Sequence, residues 1–559
     1  MHTLVGFVVA MCVTMVLIPL LMRWSLVLGV QDIPDPRKVH RVPVPRVGGI
    51  AMAVGVLLAL VIPGGSTRAI QALWVCILIL LIFGVWDDRK TLPAGPKFAG
   101  QALAVLIAMM WGGISISSAT LYERMPLPGW FAVPMTFLFL VGGTNAFNLS
   151  DGLDGLAGGM ATLCLSGTAL LAYTVGNTIV GGTALIMVGA LIGFLRFNTH
   201  PARIFMGDSG SQVLGFSAAT LTLLLTQDPQ IPLSTALPLL LLGVPIVDTL
   251  MVMTERLLEG KSPFLADRRH IHHRLLALGF EHWEAVCLLY LLQCCLFVVA
   301  WYLRYASDGS VIVAFAVSSA FIIVPIRAAQ YLGLQVRRST SGSGLVAAKS
   351  ARVAEPHSKR SVRSIALIVL GVVLVIYSLW VLVAGARMSS DEQVLAVALA
   401  ALLCTRLVLR WRDPDAGWID KIALYPTAAL ALFLARQNSS ALGQWLTPLA
   451  GGRPLSQVVE WFVYPIMAIA IVVSLRGSSD RNFRVTPLDV LVLLIALTIP
   501  NLPNSIASVR PLGISIVELV LLFYSLESVS LAAGRSWRWL SAAAASFLIC
   551  ATLLSIMSA

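Results

Sequence analysis

Apolar runs of about 20 residues, separated by short polar loops, dominate the chain. They fall near 4–22, 47–63, 70–86, 99–115, 131–147, 156–174, 178–195, 212–226, 233–254, 284–303 and 310–330. Runs of this length, rising 1.5 Å per residue, match the hydrocarbon thickness of a bilayer, so the pattern predicts about eleven membrane helices. They are too long and continuous for barrel strands. The first run, Leu4 to Met22, is long and has no basic segment before it, so it reads as a retained helix and not a cleaved signal. Residues 336–363, VRRSTSGSGLVAAKSARVAEPHSKRSVR, then break the series with basic, small and polar residues, the composition of a flexible linker. About seven more apolar segments follow, near 364–385, 392–409, 419–435, 457–475, 486–500, 512–533 and 538–557. The expected fold class is all-α: a polytopic membrane protein with one membrane domain over 1–335, a linker over 336–363 and a second multi-helix membrane domain over 364–559.

Composition agrees with this class. The chain is 58% hydrophobic and only 12% charged, against about 25% charged in soluble domains. The loops at 23–46, 87–98, 196–211 and 255–283, and the segment from 331, hold most of the Lys and Arg. The opposite loops hold little beyond Arg68, Arg124 and Arg304. The positive-inside rule puts the first set in the cytoplasm and the N-terminus outside. The net charge of +12 is accounted for by these loops and calls for no nucleic-acid partner. The eight cysteines lie mostly in apolar runs, as at Cys294 and Cys295, with no zinc or disulfide spacing.

Scarce acidic and histidine residues gather on one side of this topology, and carboxylates at a membrane face are costly unless a cation or polar substrate uses them. Asp87 and Asp88 end a helix in GVWDDRK. Such a pair can bind Mg2+ or a cationic substrate, can act as a base, or can simply be a solvated helix end. In NAFNLSDGLDGLAGG, Asn145, Asn148, Asp151 and Asp154 recur every three residues, so a continuing helix would stack them on one face. Ser150 or Asp151 alone would be explained as a helix cap. RIFMGDSGS sets Asp208 among small residues that admit a diphosphate and its metal. Arg203 is either a phosphate partner or an interfacial charge, and Phe205 either stacks on a base or packs. HIHHRL places His270, His272 and His273 within four positions. Zinc is the rival reading there, but no HExxH and no nearby cysteine supports it, and recognition of a sugar and phosphate fits better.

These four motifs, together with DIPDPRKVHRVPVPRVGGI (Asp32 to Ile50), resemble the polyprenyl-phosphate N-acetylhexosamine-1-phosphate transferase family, in the same order over roughly 1–335. VPRVGG and HIHHRL are more similar to the branch acting on UDP-N-acetylglucosamine for surface polysaccharides than to the phospho-MurNAc-pentapeptide branch. The resemblance does not extend to 364–559. It implies that undecaprenyl phosphate attacks the β-phosphate of a UDP-sugar, giving undecaprenyl-diphosphate-sugar and UMP. It implies Mg2+, with Mn2+ as the alternative, held by Asp208 with support from Asp151. Asp87 and Asp88 match the essential pair. Asn145, Asp151 and Asp154 match a nucleotide loop, Asn198 and Phe205 the uracil contacts, and Lys38 and His40 a loop near the nucleotide. His270, His272 and His273, with Arg203, match the sugar and phosphate side. The implied setting is the bacterial inner membrane, with the site facing the cytoplasm among membrane lipids. A homodimer and contact with downstream polysaccharide enzymes are compatible with it.

Two rival classes predict different patterns. A transporter or flippase would place ionisable residues near midplane on broken helices. A catalytically dead scaffold would lack motif residues. The motifs are intact and sit at one face. In the C-terminal region, Glu518 and Glu527 lie in apolar segments, where they mark either a polar pathway or a helix contact.

Overall fold

The computed structural model describes residues 2–32, 43–61, 67–121, 123–261, 269–335, 357–383, 388, 390–408, 424–432, 434, 463–471, 517–522, 525–526, 529 and 538–557. The chain folds into two compact units, with the main break between Ser341 and Gly342.

The first unit is a helical bundle of α1 (His2–Leu28), α2 (Gly48–Ala59), α3 (Arg68–Arg89), α4 (Ala94–Met110), α5 (Gly129–Ser150), α6 (Leu156–Thr174), α7 (Thr178–Asn198), α8 (Gly207–Thr226), α9 (Pro238–Leu241), α10 (Gly243–Leu258), α11 (Ile271–Ala277), α12 (His282–Tyr302) and α13 (Asp308–Tyr331). Two short antiparallel ribbons, β1 (Gln31–Asp32) with β2 (Val44–Pro45) and β3 (Ser118–Thr120) with β4 (Arg124–Pro126), complete it. Helices α1, α3, α5, α6, α7, α12 and α13 are long and apolar enough to cross a membrane, while α2 and α4 are shorter apolar helices. The protein is an all-α polytopic membrane protein.

Helix α8 forms the core of the bundle, with 17 of its 20 residues buried. Small residues let its neighbours approach closely. A Cβ on Gly84 of α3 would lie 2.3 Å from Ser209 Cα, and one on Gly49 of α2 would lie 2.3 Å from Gly210 N. On α8 itself, a Cβ on Gly215 would meet Gly143 O of α5 at 2.7 Å.

Two expectations are corrected. The run at 233–254 is not one helix, because it breaks at Leu242 between α9 and α10. Pro245 has no N–H to give the Leu241 carbonyl four residues back. Gln293 of α12 repairs the break: its Nε2 donates to Leu241 O (2.9 Å) and its Oε1 accepts from Val244 N (3.0 Å). Such a side-chain repair is what irregular backbone inside a bundle requires. The second correction concerns the ladder from Asn145 to Asp154. Helix α5 ends at Ser150, and Gly155, at φ +81°, starts α6 from a left-handed conformation that favours glycine. Asn145 and Asn148 therefore lie on α5, whereas Asp151 and Asp154 lie on the turn that follows.

The end of the bundle remote from these motifs is tied by Asp308. Its carboxylate accepts from Thr120 N (2.6 Å), Ser234 Oγ (2.6 Å), Ala236 N (3.1 Å) and Thr235 Oγ1. Arg124 donates to the carbonyls of Thr226, Asp228 and Leu233.

The second unit contains helices His357–Val383, Ser390–Val408 and Arg538–Met557, with shorter helical stretches between them. Tyr464 donates to the Tyr377 hydroxyl (3.3 Å), beside a cavity of about 320 Å³ lined by Leu374, Tyr377, Thr427, Leu522, Phe547 and Cys550. Glu518 is buried in this unit; Glu527 and the segment 486–500 lie outside the described residues.

Asp308→Ala strands two backbone N–H groups and two hydroxyls, so it is expected to destabilise the protein by about 3 kcal/mol, since hydrogen bonds to a charged group contribute roughly 1.5–3 kcal/mol. Thermal unfolding in detergent should show the loss; an unchanged Tm would remove Asp308 as the tie between these loops.

Candidate active site

Four helix ends converge at one end of the bundle: the C-termini of α3, α5 and α7 and the N-terminus of α8. Asp88 closes the junction. Its carboxylate accepts from Asp208 N (2.9 Å) and Ser209 N (3.1 Å), the first free amides of α8. An acidic group here satisfies orphan donors and complements the positive end of the helix. Gly207 makes the approach possible, because its φ is +72° and a Cβ there would lie 2.4 Å from Asp88 Oδ2.

The rest of the cluster builds on this join. Asp87 Oδ1 accepts from Leu92 N (2.7 Å), and Asp87 Oδ2 lies 2.5 Å from Lys97 Nζ. The same ammonium is 3.1 Å from Asp208 Oδ2. Asn148 Nδ2 donates to Asp208 Oδ1 and to Ser211 Oγ, both at 3.1 Å. Asn145 exchanges hydrogen bonds with Gln101, which also donates to Gln212 Oε1 (3.3 Å). Gln101 thus links α4 to α5 through Asn145 and to α8 through Gln212. Arg46 joins from the first loop, 2.6 Å from Asp32 and 3.8 Å from Asp88.

The acids differ in protonation. Burial raises the Asp151 carboxyl to about 7, and the nearby negative charges of Asp208, Asp88 and Asp154 add to the rise. Burial also works against ionisation of Asp208, but its hydrogen bond with Asp87 and the charge of Lys97 outweigh this and hold it below the ordinary carboxylate range. Asp208 is therefore an anion, while Asp151 carries a proton into the neutral range. The oxygen-rich donor set, with an ammonium lying between Asp87 and Asp208, fits a hard divalent cation such as Mg2+.

The remaining candidates occupy separate positions. Asn198 is buried, and its amide is used within the protein: Oδ1 accepts from Gly155 N (3.0 Å) and Nδ2 donates to Ile204 O (2.9 Å). Phe205 is half-buried and joins the first loop through its backbone, with N donating to Pro45 O (2.8 Å) and O accepting from Gly48 N (3.0 Å). Arg203 is exposed on the loop between α7 and α8. Lys38 and His40 lie outside the described residues.

The three rings of HIHHRL pack on one another, with centroids 5.8 Å apart for His270 and His272 and 4.3 Å for His272 and His273, and each has a different further neighbour. His270 Nδ1 lies 2.9 Å from Asp248 Oδ2, whose other oxygen accepts from Ile271 N (2.7 Å). His272 packs against Gly152, where a Cβ would lie 2.3 Å from its Nε2. Burial lowers the His272 imidazole to about 3, so the ring is neutral. His273 lines a recess with Glu255, Arg269, Arg274 and Arg327.

Lys97, Gln101, Arg46 and Asp248 contact the candidate residues in the structure and were not singled out by the motif reading. Lys97 and Gln101 carried a usable signal, being polar residues four apart on one face of an otherwise apolar α4. Asp248 carried none, because its role depends on the return of α11 toward α10.

The model of glycosyl transferase family 4 matches residues 70–226, from within α3 to the end of α8, and takes in the acidic cluster. A probable undecaprenyl-phosphate N-acetylglucosaminyl 1-phosphate transferase of Bacillus subtilis (strain 168) is 38% identical over 292 residues, covering 52% of this chain and 81% of that relative. The chain belongs to glycosyl transferase family 4. Further members that it resembles are an undecaprenyl-phosphate alpha-N-acetylglucosaminyl 1-phosphate transferase of Yersinia pestis (31% over 269 residues; 47% of this chain, 73% of the relative) and a decaprenyl-phosphate N-acetylglucosaminephosphotransferase of Mycobacterium leprae (34% over 294 residues; 46% and 73%). These family 4 relatives align with about half of the chain.

The Asp151 carboxyl is raised to about 7, so a divalent cation that took it as a ligand would displace its proton. Mg2+ titration near pH 6.5 in weak buffer should release a proton, and apparent Mg2+ affinity should rise as pH passes through 7. Asp151→Asn should abolish the Asp151 part of that release. Equal release from both proteins would take Asp151 out of the cation site.

Proposed function

We propose that this family 4 protein transfers N-acetylhexosamine 1-phosphate, GlcNAc-1-phosphate in the first instance, from a UDP-sugar to undecaprenyl phosphate. It releases UMP and starts synthesis of a lipid-linked cell-surface polysaccharide. The observation that carries the reading is the junction of Asp87, Asp88, Asn148 and Asp208 with Lys97 at one end of a membrane bundle. The names borne by the Bacillus and Yersinia relatives supply the donor sugar and acceptor.

A phosphate oxygen of the polyprenyl acceptor forms a bond to the β-phosphorus of the donor. The bond from that phosphorus to the oxygen bridging to the α-phosphate breaks, and UMP leaves with the bridging oxygen. Phosphoryl transfer of this kind depends mainly on positioning and charge neutralisation. Bound Mg2+ supplies positive charge against the diphosphate. Asp208, aided by Asp151, is the carboxylate assigned to hold it. Asp88 fixes Asp208 by holding the start of α8. Asp87 faces the acceptor phosphate, which is already largely dianionic near neutral pH with a second pKa of about 6. Asp87 therefore orients the acceptor without having to deprotonate it. Lys97 neutralises Asp87 and Asp208 before substrate arrives and turns to the incoming phosphates afterwards. Asp154 serves the nucleotide, together with Lys38 and His40. Asn145 and Asn198 hold the walls of that pocket. Neutral His272, with His270 oriented by Asp248, offers uncharged hydrogen-bonding groups to the sugar.

The protein works in the bacterial inner membrane with this end toward the cytoplasm, as the Lys and Arg bias of its loops supports. That is where a lipid-held phosphate meets a soluble UDP-sugar. The transferase is assigned to 1–335, and 364–559 lie outside the chemical step.

Asp208→Asn should lower Mg2+-dependent transfer from UDP-GlcNAc by about 100-fold or more, the loss typical of removing a main charge-stabilising group. Thermal unfolding should stay near wild type. Near-normal transfer at ordinary Mg2+ would remove Asp208 from the site.

A further inference from the structure

Beside the acidic cluster, Asp154, His200 and His282 come together from three different elements: the turn after α5, the loop between α7 and α8, and the start of α12. The mechanism above uses neither histidine. His200 Nδ1 lies 2.7 Å from Asp154 Oδ2, and His282 Nε2 lies 3.4 Å from the Asp154 carbonyl oxygen. The two rings stack at 4.3 Å with 22° between their planes. One ligand atom from each of the three residues falls within 4.8 Å of the other two. His282 and Asp154 are half-buried, while the His200 side chain is 43% exposed and opens the cluster to solution.

We propose that these three side chains form a second cation site, selective for zinc-like transition metals, distinct from the Mg2+ centre at Asp208 and sharing Asp154 with the nucleotide pocket proposed above. The donor chemistry sets the class. Two imidazole nitrogens and one carboxylate favour Zn2+, Cu2+ or Ni2+ over Mg2+, which prefers an all-oxygen shell. A tetrahedral Zn2+ with bonds of about 2.0–2.2 Å would need its ligand atoms about 3.4 Å apart, a spacing within the range already present. Three protein ligands leave a fourth position for water. The supporting contacts that ordered metal sites need are also in place. Ala202 N donates to Asp154 Oδ2 (3.1 Å), and Tyr290 Oη donates to Gly155 O (2.6 Å), which fixes the residue after Asp154. A cation held here fastens the turn that carries Asp151 to the 199–206 loop and to α12.

The test uses the full chain, purified in detergent with an affinity tag that contains no histidine, stripped of metal and titrated with Co2+ as a spectroscopic probe for zinc. One equivalent should give the visible absorption of a four-coordinate site, and Zn2+ should displace it. His200→Ala and His282→Ala should each weaken Co2+ binding at least tenfold. His273→Ala should not, and His200→Cys, which keeps a zinc-binding side chain, should retain binding. The site is overturned if folded wild-type protein gives no four-coordinate spectrum, or if the spectrum persists unchanged in His200→Ala.

Discussion

The two hydrogen bonds from Asp208 N and Ser209 N to the Asp88 carboxylate are the join on which the rest of the site depends. They satisfy the free amides at the start of α8, and they place the end of α3 against a helix that is buried along nearly its whole length. Asp208 is held where Lys97 and Asn148 can reach it, and Asp87 is turned toward Lys97. A carboxylate buried this deeply would be costly alone. The amides of the helix terminus offset part of that cost. The glycines on either side are part of the same constraint, because a side chain at Gly207 or Gly84 would occupy the space of Asp88 or Ser209.

Much of this was legible in the sequence, for a physical reason. A helix that crosses lipid must be a long apolar run, so ten of the eleven predicted segments of the first unit each correspond to one helix, and the motifs at Asp87, Asn148 and Asp208 mark helix ends. The failures occur where side chains act on the backbone at a distance. The break at Leu242 needs both Pro245 and the repairing Gln293 from a later helix, and no local pattern joins them. The Asn145 to Asp154 ladder has helical spacing, but Gly152 and Gly155 favour a turn after Ser150. HIHHRL reads as one cluster and its three rings do pack together, but their further neighbours, Asp248, Gly152 and an Arg-lined recess, come from other elements and gave no local signal. The histidines that do gather around one carboxylate, His200 and His282, are 82 residues apart in the chain and belong to no motif.

The rival classes can now be weighed on geometry. A transporter needs polar groups along a path through the bundle. Among the described residues of the first unit, the carboxylates occupy its two ends: Asp308 is fully engaged in tying loops at one, and the acidic cluster lies at the other. A scaffold would not need an ammonium held between two carboxylates, nor a neutral buried histidine against a glycine turn. Both features suit a site that exchanges internal charge pairs for a phosphorylated substrate and its cation.

The most direct test follows two labels through one reaction. Purified full-length protein would be given undecaprenyl phosphate and UDP-GlcNAc carrying one isotope in the sugar and another in the β-phosphate. The account predicts that both labels enter the lipid product in equal amounts and that UMP is released. Sugar label in the lipid without the β-phosphate label, with UDP as the other product, would contradict it.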